Sequence, residues 1–243
     1  VELVYNGVHV GTYYLCEHIK IDGNRLDIND PYDEDDPYSG IPEDYGYLLE
    51  SDDAYDEAWG FTTKCYVPFL FKDDGNQAML DYAAALVRGI ENNLYAGNYD
   101  QAFANMDLAS FVDFWLVQEL MMNSETKHPK SCYSYINEGI MYAGPVWDFD
   151  WGTFVPTNTA FRLAKAIYYE RLFEDPAFVA RVKERWAELK PAFEEIPPFI
   201  EAEKVRLDKS ASINIELWPI SSRTNGDETL SYDAAVTRMI NAY

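Results

Sequence analysis

The change of hydrophobic period near Gly75 constrains this chain more than any other feature. Before it, apolar residues fall in short β-branched and aromatic runs broken by Gly, Asn, Asp and Pro; after it they recur at helical spacing. A chain that switches period in this way is expected to fold as α+β. The opening "VELVYNGVHVGTYYLCEHI" carries Asn6-Gly7 between two strand-like runs, the strongest short-range hairpin signal, so residues 1–28 read as a hairpin with Gly11 at a bulge. An acidic loop bearing Pro and Gly, Asn29 to Tyr45, leads to strands at Gly46 to Ser51 and Lys64 to Lys72.

Beyond Gly75, Gln77 to Tyr95 reads as one helix. Asp107 caps another, in which Leu108, Phe111, Val112, Trp115, Leu116 and Leu120 recur at helical spacing. Aromatics fill much of the rest, so this helix is expected to be buried on most sides. "SCYSYINEGIMYAGPVWDFDW" reads as a hairpin turning near Asn137 to Gly139. In "EDPAFVARVKERWAEL" Asp175 is the N-cap and Pro176 the first helical residue, with Val179, Val182, Trp186 and Leu189 on one face. Pro197-Pro198 breaks this helix, and two more close the chain. The layout is a small β-rich unit, 1–75, followed by a mostly helical unit, 76–243, with an embedded hairpin. Some two-lobed phosphotransferases are built this way, though layout alone does not give function.

Composition removes several function classes. The formal charge of −23 speaks against nucleic acid, whose phosphates need a basic face, and against anionic lipid surfaces. No apolar run reaches 18 residues, so no transmembrane helix is expected. Cys16, Cys65 and Cys132 are isolated, without zinc-site spacing, and are read as buried thiols with at most one disulfide. A chain that opens on strand-like residues without Met reads as a piece of a longer protein.

The chemistry concentrates in "GPVWDFDWG", Gly144 to Gly152, where Asp148 and Asp150 sit among aromatic residues. In a strand, positions i and i+2 face one side, so both carboxylates could meet one cation. Mg²⁺ is commonly held by one or two carboxylates together with substrate phosphates. The alternative, equal on spacing alone, is that Asp148 caps a turn and Asp150 faces solvent. Upstream, the buried helix runs into the polar loop of "ELMMNSETKHPKSCYSY", whose one acid is Glu125. A polar loop between a buried helix and a hairpin ending in acids has the layout of a kinase catalytic loop, although a solvated connector is the plainer reading. Glu17 and Glu50 fall in expected strands among apolar neighbours and need partners if buried; Lys20, Arg25, Lys64 and Lys72 are the candidates. His9, His18 and His128 form no ligand or triad pattern. Asp33 to Asp36 lacks the glycine and spacing of an EF-hand and reads as a solvated loop.

Four segments in order, "VELVYNGVHVGTYYLCEHI", "GYLLESD", "SCYSYINEGIMYAGPVWDFDWG" and "YYERLFEDPAFVARVKERW", make the chain resemble the CotH kinase family (spore-coat protein H-like) over nearly its whole length. The resemblance implies an atypical protein-kinase-like fold, ATP with Mg²⁺ or another divalent cation, and phosphorylation of a secreted or surface protein such as a coat protein. It also implies an extracellular or cell-surface setting, often within larger modular proteins of gut and plant-degrading bacteria. Carried onto this sequence, it makes Asp150 the principal metal ligand with Asp148 as partner and Ser131 as a further ligand. Glu125 becomes the base, Trp147 a pocket wall, and Glu17 and Glu50 nucleotide-side residues; the phosphate-binding lysine is expected in family sequence upstream of Val1, and Lys72 is the best candidate for it within the chain. The chain has Glu125 where the family usually has Asp, and Ser131 where many members have Asn. A catalytically weak or inactive pseudokinase-like module that binds protein or glycan is the alternative. A glycoside hydrolase is disfavoured, because Asp148 and Asp150 on one strand would not flank a sugar.

Overall fold

The computed structural model describes residues 1–243 except 31–39, 55, 128–129, 150–151, 155–159 and 220–229. The loop acids Asp33 to Asp36, His128 and Asp150 therefore lie outside the described residues. Both helices and sheets are present, so the chain is α+β. It divides into two compact units: Val1–His18, Phe154–Asn158 and Ala187–Tyr243 in the first, Ile19–Thr153 and Thr159–Trp186 in the second. This division does not follow residue 75, because strands on either side of that position pair in one sheet of the second unit.

In the first unit, β1 (Glu2–Tyr5) and β2 (Val8–Thr12) form a hairpin around Asn6-Gly7, both at positive φ. The pairing runs Leu3↔Gly11 and then Val4↔His9, so Val10 is bulged out beside Gly11. Gly11 has φ +134°, and a Cβ there would lie 2.9 Å from Trp218 Nε1. Trp218 donates to Val10 O at 2.9 Å and Thr12 N–H donates to Asn214 Oδ1 at 2.8 Å, which ties the hairpin to the end of α6 (Ile196–Leu217). The final helix α7 (Tyr232–Asn241) starts at Ser231, whose Oγ accepts from Ala234 N–H, and Asp233 pairs with Lys204 of α6 at 2.6 Å. The hairpin is shorter than the sequence suggests. It ends at Thr12, and Glu17 lies beyond it, exposed and outside any strand.

The second unit is built on a five-stranded antiparallel sheet in the order β4-β5-β3-β6-β7. Its strands are β3 (Tyr47–Ser51), β4 (Gly60–Thr62), β5 (Pro68–Phe71), β6 (Cys132–Asn137) and β7 (Ile140–Ala143). The expected strand Lys64 to Lys72 is thus only its second half, with β4 before it; Tyr66 at φ +63° turns the chain between them. One face carries Leu49, Phe69, Phe71, Cys132, Ser134, Ile136 and Met141 and is covered by helices. These are α1 (Gln77–Tyr95), capped by Asn76, and α3 (Leu108–Leu120), capped by Asp107, whose Oδ1 accepts from Ser110 N–H at 2.7 Å. In α3, Phe111, Val112, Phe114, Trp115 and Leu116 are all buried, as the aromatic filling of its sequence predicts.

The short α2 (Tyr99–Phe103) and α4 (Tyr169–Leu172) fill gaps, with Tyr169 donating to Phe111 O at 2.9 Å. α5 (Pro176–Phe193) begins in this unit with Asp175 accepting from Ala177 and Phe178 N–H groups, as a cap should. Its buried residues are Phe178 and Val182; of the expected face Val182 is buried, Val179 and Leu189 are half-buried and Trp186 is exposed. All three cysteines are free thiols, Cys16 exposed, Cys65 half-buried and Cys132 buried; no disulfide forms.

Candidate functional site

The other face of the sheet carries the charged chemistry. Glu50 pairs with Leu70 on one side and Tyr133 on the other, and residues directly opposite in an antiparallel pair share a face. Lys72, which follows β5, donates its backbone N–H to Leu48 O and so returns to that face next to Leu48. Glu50 is only 8% exposed on the central strand. A carboxylate there is costly unless a cation and hydrogen bonds meet it. Lys72 Nζ lies 2.7 Å from Glu50 Oε2, and Tyr133 stands directly opposite Glu50 across the β3–β6 pair. Burial and the negative charge of Glu50 push the Tyr133 hydroxyl up to about 12, so it remains a donor at neutral pH.

Lys72 has a second partner, Glu57 Oε1 at 2.5 Å, from the loop between β3 and β4. Burial of Lys72 works against its charge, but the hydrogen bonds from both carboxylates outweigh it and raise its pKa. The ammonium is therefore fixed and charged. Beyond Lys72 and Glu50, the stacked rings of Tyr135 and Tyr142, 4.7 Å apart, extend the same face.

One end of the sheet gathers the other candidates. β3 ends there at Ser51 opposite Cys132, where β6 begins. Ser131, at φ +50°, is the turn residue that admits the chain to β6. β7 leaves at the same end: Gly144 N–H donates to Tyr133 O at 2.9 Å, and Trp147 and Asp148 follow, both half-buried. Burial pushes the Cys132 thiol up to about 12; its bond to Lys130 O opposes this, and the charges of Glu125, Asp52 and Glu50 add to it. Glu125 opens a 3-10 turn held from below by Asn123, a buried residue that accepts from Glu125 N–H at 2.9 Å and donates to Gln118 Oε1 at 2.9 Å. A Cβ on Gly152 would lie 3.6 Å from Ser124 Cβ, so the chain beyond Asp148 returns against the Glu125 loop.

The strand premise fails at Asp148. β7 stops at Ala143, Gly144 takes φ +106° and Asp148 takes φ +60°, so the segment is irregular and the i, i+2 rule does not apply to it. Asp148 is half-buried in the irregular segment that follows β7; Asp150 is outside the described residues. Glu17 is an exposed position of the first unit. Among the described residues no three His, Cys, Asp or Glu side chains converge on a metal position. The donors available are carboxylates and a hydroxyl, the hard oxygen ligands that Mg²⁺ takes, and Mg²⁺ needs only one or two carboxylates from protein.

Asp52, Glu57, Asn123 and Tyr133 are absent from the sequence-based site. Tyr133 had a signal, since it alternates in the expected strand β6 and a strand assignment fixes its face. Glu57 and Asp52 lie in a loop without period and had none.

Comparison with curated proteins and with solved structures returned no match. No helix among the described residues is long and apolar enough to cross a membrane. The family model described as CotH kinase protein matches residues 1–241. With that match over nearly its full length, the chain belongs to the CotH kinase family.

Proposed function

We propose that this chain transfers the γ-phosphate of ATP to a hydroxyl group of a secreted or surface protein, using a kinase-like arrangement of the second unit. The observation that carries the reading is the Lys72–Glu50 pair, 2.7 Å apart on the sheet face that leads to the Glu125 loop and Asp148. Phosphoryl transfer needs little covalent help from protein; it needs positioned charge around the phosphates and a positioned nucleophile. Lys72 supplies the fixed positive charge for phosphate oxygens, and Glu50 holds it. Glu125, on a turn anchored by Asn123, accepts the proton of the attacking hydroxyl. Asp148 and Asp150 hold the divalent ion, with Ser131 beside them and Trp147 as a wall. Bound with ATP, such an ion neutralises charge on the β and γ oxygens.

Glu125 in place of Asp keeps the charge and adds one methylene. The tight Asn123 anchor under its backbone supports a turn adjusted to that length. Incubation with γ-labelled ATP and Mg²⁺ tests the assignment of the acids. Asp150→Asn and Asp148→Asn are expected to lower phosphate incorporation by roughly 10² or more. Incorporation equal to the parent would remove these aspartates from the mechanism.

A further inference from the structure

Lys72 is held by two carboxylates that differ in how firmly they are themselves held. Glu50 sits on the central strand, its backbone paired on both sides and its side chain nearly buried. Glu57 sits on the loop between β3 and β4, with a side chain about one-third exposed. That loop is tied at its two ends, by Ala54 N–H to Asp52 Oδ1 at 2.7 Å and by Trp59 Nε1 to Asp74 Oδ1 at 2.9 Å. Between those ties, Lys72 is the polar partner recorded for the Glu57 carboxylate.

An ammonium has three donors, and two are committed at 2.7 and 2.5 Å. Two carboxylates on one cation leave a local charge of −1. A triphosphate brought to the same ammonium would add several negative charges beside them, and like charges at such range repel strongly away from bulk water. One carboxylate has to leave, and the fold makes Glu57 the one that can. Its oxygen and a phosphate oxygen are alike as acceptors of a charged N–H, so the exchange keeps the geometry of Lys72 and Glu50 intact.

Resting on Lys72 being the phosphate-binding lysine, we infer that Glu57 is an internal stand-in for nucleotide phosphate, which ATP must displace from Lys72 to bind. The pair then acts as a gate. In the empty site Glu57 keeps Lys72 in place; in the loaded site the Glu57 carboxylate is released from Lys72. Any protein surface or cation that draws Glu57 away would raise the affinity for ATP.

Calorimetric titration with ATP and Mg²⁺ on the full chain tests this with Glu57→Gln, Lys72→Met and the double variant, each accompanied by a melting curve. Glu57→Gln is expected to bind ATP about fivefold more tightly than the parent, a gain that shrinks at high salt because the carboxylate is partly exposed. Glu57→Asp, one methylene shorter, is expected to show a smaller gain, and the double variant none over Lys72→Met. A folded Glu57→Gln that binds ATP no more tightly than the parent overturns the gate, and it leaves the nucleotide site standing if Lys72→Met still weakens binding. ATP binding unchanged by Lys72→Met overturns the reading of Lys72 and the gate together. Absence of ATP binding in every variant does the same for the whole site.

Discussion

At the residue scale, Glu50 and Lys72 illustrate how a sheet can host charge. The Glu50 side chain is about 10% exposed and that of Lys72 about 26%, so neither is fully removed from water. Breaking a fully buried pair costs about 3–5 kcal/mol; partial exposure makes Lys72→Met cost on the order of 1–3 kcal/mol in urea unfolding. Because the folded pKa of Lys72 is raised, its contribution is complete below the unfolded lysine value, about 10.4, and is lost as pH rises through the folded value. The cost of Lys72→Met should therefore be constant from neutral pH to that point and shrink only above it. Cys132 gives a second check. Its raised pKa means that its stabilising contribution is complete below the ordinary thiol value, about 8.5, and falls as pH rises toward about 12. An alkylating reagent at pH 8 should modify exposed Cys16 and spare Cys132 until urea unfolds the second unit; equal rates for both would contradict its burial.

At the scale of elements, the helices were legible in the sequence because their signals are local. Asn76, Asp107, Asp175 and Ser231 each cap the helix that follows with a side-chain oxygen, and Asp107 and Asp175 are visible as caps from sequence alone. Removing one such cap, Asp107→Ala, should cost about 1 kcal/mol in denaturant unfolding. The hairpin bulge was equally legible at Gly11. Gly11→Ala has to shift Trp218 as well as adopt a strained φ, and is expected to destabilise the first unit by about 1–3 kcal/mol and alter the emission of Trp218. What the sequence hid depends on pairings distant along the chain. Nothing local says that Lys72 rather than Lys20, Arg25 or Lys64 meets Glu50, because β3 and β5 are brought together only by the sheet. Nor does "PVWDFDW" announce that β7 ends at Ala143. Its alternation of aromatic and acidic residues imitates a strand, while backbone turns at Gly144 and Asp148 take it out of the sheet. The first hairpin ends sooner than its residues suggest for the same reason: beyond the backbone bonds between Tyr13 and Val1, Tyr14 to Glu17 has strand-like residues but lies in no strand.

At the scale of the whole molecule, the acids divide between solvation and chemistry. A charge of −23 disfavours nucleic acid, and on the proposed function the same acidic chain has to accept a polyanion, ATP. That conflict gives weight to Lys72, whose charge is fixed by two carboxylates and held in place by the sheet. It also predicts that ATP binding depends on Mg²⁺ more steeply than on any single acid, since the ion offsets charge that the protein adds. Family membership supplies the expectation of a kinase, and the sheet face supplies the residues that could perform it. The most direct measurement is transfer of label from γ-labelled ATP by the parent chain and by Lys72→Met, at matched folding shown by melting curves. The account predicts measurable transfer by the parent and a loss of roughly 10² or more in Lys72→Met. Equal transfer by the two proteins would contradict it.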